Sequence, residues 1–186
     1  WDNPYYGFPQ MIRFAFNPSD SARRLIKEMK ERGSTCALSA LFEPNSIVKD
    51  DTKQYRKFKH KKEIIELLEV IDGSRDDDEL FGFLDYSKIK DGQMCRHIIC
   101  VLPFRASCDA LQTLIEDNKG LFKNIAGYEL FNIAGHDCPK NLKTPAGVKE
   151  AIARCEEAGR KSITLTVNKM LTGSTIECWD TILFFK

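Results

Sequence analysis

Apolar residues in the first half of the chain recur mostly at helical spacing, whereas from residue 96 onward they come in short unbroken runs separated by helical patterns. Between Pro4, Gly7, Pro9 and Pro18, Ile12, Phe14 and Phe16 alternate with polar or small residues, which predicts a short leading strand. Ser19 or Asp20 then caps a predicted helix with Ala22, Leu25, Ile26 and Met29 on one face, ending at Gly33. Residues 34–57 read as irregular. Ile64, Ile65, Leu67, Leu68 and Ile71 predict a second amphipathic helix that stops at Gly73.

The second half alternates. Ile98 to Leu102 is a continuous apolar run closed by Pro103, as expected of a strand covered on both faces. Ala110, Leu111, Leu114 and Ile115 mark a helix closing near Gly120, and Tyr128 to Ile133 a second strand. Thr144 followed by Pro145 is an N-cap with proline at the first helical position, so a helix is predicted through Val148, Ile152 and Cys155 to Gly159. Ser162 to Val167 and Thr181 to Phe185 are the third and fourth strands. Strands separated by helices predict an α/β domain over 96–186 with a mainly parallel sheet and right-handed crossovers. Residues 1–95 are expected to form a leading segment and helical insertion packed on it.

Composition narrows the class. With 42% hydrophobic and 30% charged residues, the chain carries enough apolar surface for a core that needs no cross-links. A net charge of +1 leaves any polyanion binding to local patches. No apolar run approaches the roughly 20 residues of a membrane span, and no signal-peptide order opens the chain, so a soluble cytoplasmic protein is expected, with no membrane partner. The seven scattered cysteines, with no Cys-x-x-Cys pair, fit a reducing compartment. Cys95, His97 and Cys100 have ligand-like spacing, but Cys100 lies inside an apolar run and no fourth ligand is at hand, so no metal site is expected. A chain that starts at Trp1 and stops directly after an apolar run reads as a piece of a longer polypeptide.

Two charge runs stand out. From Lys53 to Lys62 there are six basic residues, interleaved with Tyr55 and Phe58 and free of acids. This is either a phosphate-contacting patch with stacking aromatics or a solvated approach to a helix. The acids Asp72, Asp76, Asp77, Asp78 and Glu79 follow, readable as a divalent-cation site or as a solvated loop able to neutralise the basic run.

In an open parallel sheet, ligands gather at the carboxyl ends of the strands. The loop after the third strand is the distinctive one: Asn168, Lys169, Thr172, Gly173, Ser174 and Thr175 combine short donors, a glycine and a cation, which suits phosphate oxygens. Without further information the same residues make an ordinary polar turn.

The stretch ITLTVNKMLTGSTIECWDTILFF at 163–185 resembles motif V of superfamily 2 helicases, in the form found in type I and type III restriction-enzyme translocases. HIICVLPFRASCDAL at 97–111 is similar to motif IV, the first strand and helix of the second RecA-like domain, and the order and separation of the two stretches also agree. The resemblance implies a three-layer RecA-like, P-loop NTPase-like fold over 96–186. It further implies that Asn168 follows the motif V strand, and that Thr172 and Gly173 form a turn touching the nucleic-acid backbone and sensing nucleotide across the domain cleft. Lys169 is placed with them as a DNA contact. Arg105 and Ser107 stand at a helix start suited to a phosphate. Thr175 occupies the place of an Asp that in many members reaches the ribose of ATP, and Glu177 replaces the usual Pro.

The chain has no Gly-x-x-x-x-Gly-Lys-Ser/Thr loop and no Asp-Glu pair ending an apolar strand, and the family's arginine-bearing last motif would begin beyond Lys186. The expectation is a fragment of an ATP-dependent DNA helicase or translocase of a restriction-modification enzyme. ATP and Mg²⁺ serve the full-length enzyme, the fragment alone binds neither and is inactive, and none of its own residues is catalytic. The implied partners are DNA, gripped through its backbone irrespective of sequence, the preceding RecA-like domain, and fused nuclease or methyltransferase domains. The rivals are a non-motor α/β module that binds a small ligand or another protein, and a nuclease. For the latter, Asp117 and Lys119 have acid-x-Lys spacing but sit at a helix end. His60, His97 and His136 have no nucleophile beside them in the pattern, and Trp179 reads as a packing anchor.

Overall fold

In the computed structural model the described residues are 38–47, 52–74, 95–167 and 178–186, with Arg24 and Lys27 in helical conformation. The leading strand, the remainder of the helix expected from Ala22 to Gly33, and Asp76 to Glu79 lie outside the described residues. The elements in chain order are α1 (Leu38–Leu41), a 3-10 turn (Gln54–Arg56), α2 (Lys61–Asp72), β1 (His97–Leu102), α3 (Arg105–Asp117), β2 (Tyr128–Asn132), α4 (Pro145–Glu157), β3 (Lys161–Val167) and β4 (Thr181–Phe184). No helix among them is long and apolar enough to cross a membrane.

The four strands form one parallel sheet in the order β2-β3-β1-β4. All six residues of β1 are buried, the physical reason its sequence is an unbroken apolar run. The chain leaves β1, passes along α3 to β2 at the far edge, and returns by α4 to β3 between them. Two right-handed crossovers in opposite directions put their helices on opposite faces. Accordingly α3 and α2 cover the face carrying Ile98, Cys100, Leu102, Ile163 and Leu165, while Val148, Ile152 and Cys155 of α4 pack on Phe131 and Ile133 of the other. The molecule is thus an α/β domain with helices on both sides of a parallel sheet, consistent with the three-layer RecA-like class.

Local chemistry sets the boundaries. The Thr144 hydroxyl accepts the Gly147 N–H ahead of Pro145, so α4 starts where its cap predicts. Gly73, at φ 77°, ends α2 in a left-handed turn that donates its N–H to Glu69 and Val70 carbonyls. The described part of the region read as irregular, 38–47 and 52–57, contains α1 and the 3-10 turn, and with a Pro44–Phe58 bridge it forms a strap over the carboxyl end of the sheet. Phe42 stacks on Phe185 with centroids 4.7 Å apart, and Phe58 meets Phe42 edge-on at 5.8 Å.

Asp72 has a different role from the one its sequence context indicates. Its side chain is fully buried, and its carboxylate accepts the N–H groups of Lys123 (2.8 Å), Asn124 (3.0 Å) and Ile125 (2.5 Å) and the Ser74 hydroxyl. A carboxylate saturated by backbone donors is an internal clamp between α2 and the turn before β2, and it is neither a solvated charge nor a counter-ion for the basic run. Asp180 plays a similar part, accepting the Arg96 and His97 N–H groups at 2.8 and 3.0 Å and so joining the start of β1 to that of β4. His97 is buried beside it, with Nδ1 2.9 Å from the Ser162 hydroxyl and Nε2 without a partner.

Asp72→Ala leaves three backbone donors unpaired and should cost about 3–4 kcal/mol, read as a lower urea midpoint at unchanged slope; Asp72→Asn, which keeps one acceptor, should cost about half of that. Burial holds the His97 imidazolium below its ordinary pKa, against smaller opposing effects of Glu156 and Asp180. The unfolded chain therefore binds the proton more readily, so this contribution to stability is present above pH about 6.5 and is lost as the pH falls through and below it. Urea midpoints between pH 7.5 and 5 should fall more steeply for the native chain than for His97→Gln; parallel curves would count against the buried neutral imidazole.

Candidate nucleic-acid interface at the carboxyl edge

The carboxyl edge of the sheet is built around one buried carboxylate. Asp109 lies in the first half of α3, where every position from Ala106 to Leu111 is buried. Its Oδ1 accepts from Asn132 Nδ2 (2.8 Å) and the Asp137 N–H (3.0 Å), and its Oδ2 from the His136 N–H (2.7 Å). Asn132, the last residue of β2, in turn accepts the Gly135 N–H at 2.8 Å. The loop after β2 is wrapped on this carboxylate so tightly that a Cβ at Gly135 would overlap Asp109 Oδ1 and the Asn132 amide.

Arg105 opens α3 and folds back over the same loop, donating from Nε to the Ala134 carbonyl at 2.8 Å and from Nη2 to the Gly135 carbonyl at 3.3 Å. Its side chain is exposed, so the guanidinium lies at the surface of this edge while being held by two carbonyls. Ser107 differs from expectation. It is fully buried, and its hydroxyl donates to the Phe42 carbonyl at 2.7 Å. With the strap above it, a phosphate has no access, and Ser107 fastens the strap to α3 instead.

Beyond the loop, Asp137 accepts from the Tyr55 hydroxyl (2.8 and 3.0 Å) and from Arg56 Nε (2.9 Å). Burial and the neighbouring carboxylate push the Tyr55 phenol up, and the Asp137 hydrogen bond holds Arg56 more firmly protonated. The Tyr55 ring meets His136 edge-on at 5.8 Å, and His136 Nε2 is 3.2 Å from the Ile47 carbonyl. Of the two readings of the basic run, its aromatics decide against base stacking: Tyr55 is fully buried and Phe58 is in the core.

Asn168, Lys169, Thr172, Gly173 and Thr175 lie outside the described residues. The strand before them is placed: Val167 pairs in register with Leu102, so β3 ends at the carboxyl edge, beside the end of β1. Trp179 packs partly buried against the α4 side and donates to the Thr164 hydroxyl at 3.2 Å, a structural anchor. Asp117 ends α3, and Asn118 caps it by donating to the Leu114 carbonyl. Burial raises the thiols of Cys95 and Cys100 to about 11 and about 12. Among the described residues no three His, Cys, Asp or Glu side chains are grouped to hold an ion.

No protein-family profile matches the chain, and no solved structure matches it. It is similar to a protein of Mycoplasma pneumoniae named, provisionally, as the C-terminus of a type II restriction enzyme and methyltransferase, with 22% identity over 193 aligned positions covering 97% of this chain. The chain spans 26% of that relative's length.

Gly135→Ala should destabilise the fold by about 2–4 kcal/mol, because the added methyl displaces hydrogen-bonded partners. Asp109→Ala removes one of the groups it strikes. In the double variant the two costs should therefore fall short of their sum by about 1 kcal/mol or more, measurable by denaturant titration of all four proteins. Strict additivity would mean that the loop and the carboxylate are not coupled.

Proposed function

We propose that this chain is the second RecA-like motor domain of an ATP-dependent DNA helicase or translocase belonging to a restriction-modification enzyme. The observation that supports it most is positional. The motif V-like segment Asn168 to Thr175 follows directly on β3 at the carboxyl edge, and β3 is the hydrogen-bonded neighbour of β1, whose carboxyl end leads into the motif IV-like start of α3. The strands that precede these two stretches thus end at one edge, where a parallel α/β domain binds ligands. The provisional name of the Mycoplasma relative supports a DNA context.

In this reading Asn168, Lys169, Thr172, Gly173 and Arg105 grip the DNA backbone through phosphate contacts that fix position and carry no sequence information. The chain has no phosphate loop of its own, so the triphosphate and its Mg²⁺ are held by a preceding RecA-like domain, against which Gly173 and Thr175 provide one wall of the cleft. Phosphoryl transfer depends on groups placed around the γ-phosphate from both sides, so this chain by itself does not hydrolyse ATP. Fused nuclease or methyltransferase domains belong to the same proposal.

Lys169→Ala in the full-length enzyme should weaken DNA binding by the same factor for unrelated sequences and lower the slope of log K against log salt by about one. An unchanged slope would overturn the role of Lys169. Absence of salt-sensitive DNA binding would favour the non-motor α/β module.

A further inference from the structure

The basic run has an architecture of its own at the carboxyl edge. It is pinned from four directions: Tyr55 and Arg56 to Asp137, Phe58 into the aromatic cluster, the Asn45 N–H to the Lys57 carbonyl at 2.8 Å, and the Lys59 N–H to the Glu43 carbonyl at 3.2 Å. Lys59 Nζ is also bound by Glu43 at 2.8 Å. These contacts consume Arg56 and Lys59 and turn both aromatics inward. Lys53, Lys57, Lys61 and Lys62 remain exposed, and none of them forms an ion pair with a described residue.

Helix placement and backbone conformation disfavour three of these cations. Lys61 and Lys62 occupy the first turn of α2, at the positive end of the helix dipole, behind His60, which offers no side-chain cap. Lys53 takes a left-handed conformation, φ 55°, which disfavours a non-glycine residue. The segment is rigidly held and bears like charges that repel one another, so a polyanion laid across it relieves the repulsion with little further loss of chain entropy. Because Asp137 belongs to the loop wrapped on Asp109, the surface adjoins the edge from which the segment after Val167 departs.

We propose that Lys53, Lys57, Lys61 and Lys62 form a second backbone-phosphate surface, one that holds duplex nucleic acid alongside the carboxyl edge. The choice of duplex follows from the buried aromatics. Single-strand surfaces pair cations with exposed rings on which bases stack, and here Tyr55 and Phe58 are unavailable for that. Phosphate charge at duplex density is what remains for such a surface to recognise. The inference rests on the proposed DNA-binding function but uses residues independent of the motif V-like segment.

The test is a triple variant of the full-length enzyme, Lys57→Gln/Lys61→Gln/Lys62→Gln, compared with the native enzyme and with Lys169→Ala on a duplex and a single strand of about 30 nucleotides. Each lysine at a phosphate contributes about 0.9 to the salt slope, so the triple variant should lose about two to three units on duplex, with a smaller loss on the single strand. An unchanged melting temperature would show that the fold is intact. An unaltered duplex slope in the triple variant overturns this surface, and if Lys169→Ala still lowers the slope, the motor reading stands without it. A slope lowered by the triple variant and not by Lys169→Ala keeps the surface and removes the motif V-like grip. A larger loss on single strand, or no duplex binding by the native enzyme, overturns the proposal. So does lysine-dependent binding to phosphatidylserine vesicles with duplex binding unchanged, which would identify a membrane surface.

Discussion

Parallel pairing of β1 between β3 and β4 is the constraint on which the rest of the molecule depends. Parallel neighbours cannot be joined by a tight turn, so each connection must travel back along a face of the sheet, and each face must then be covered. That requirement places α3 and α4 on opposite sides and leaves all strand ends of one polarity at a single edge. The described strands therefore all end at that edge.

At that edge, polar groups are organised by burial more than by exposure. The Asp109 carboxylate fixes the loop after β2, that loop presents Asp137, and Asp137 holds Tyr55 and Arg56 and with them the basic run. The same loop supplies the two carbonyls that orient Arg105. One desolvated carboxylate with a complete set of donors therefore positions cations from two separate parts of the chain.

Where local chemistry and tertiary demand coincide, the sequence is easily read. Thr144 and Pro145 start α4, Gly73 ends α2, and the apolar run from Ile98 to Leu102 is a strand buried on both faces, because cap, turn and periodicity each point the same way. The strap over 38–47 and 52–60 was not legible, since its bridge and aromatic contacts join residues whose own spacing carries no period. Asp72 was hidden in a run of acids and Tyr55 in a run of bases, where composition argues for solvent. Asp109 had a usable signal: it stands within an uninterrupted series of small and apolar residues, so no face of the helix remains on which it would meet water. The motif V-like segment is legible only through resemblance, because short donors around a glycine describe many turns equally well.

The stacking of Phe42 on Phe185 has a kinetic consequence. These rings lie near opposite ends of the described chain, and Ser107 and Phe58 make their contacts with Phe42 in the same place. During synthesis the amino-terminal strap is made long before the strand end that receives it. Contacts of such long sequence separation slow folding, and they leave Phe42 and Phe58 without their cover in the meantime. Closing the carboxyl edge therefore carries a larger chain-entropy cost than forming the local contacts within α2 and α3.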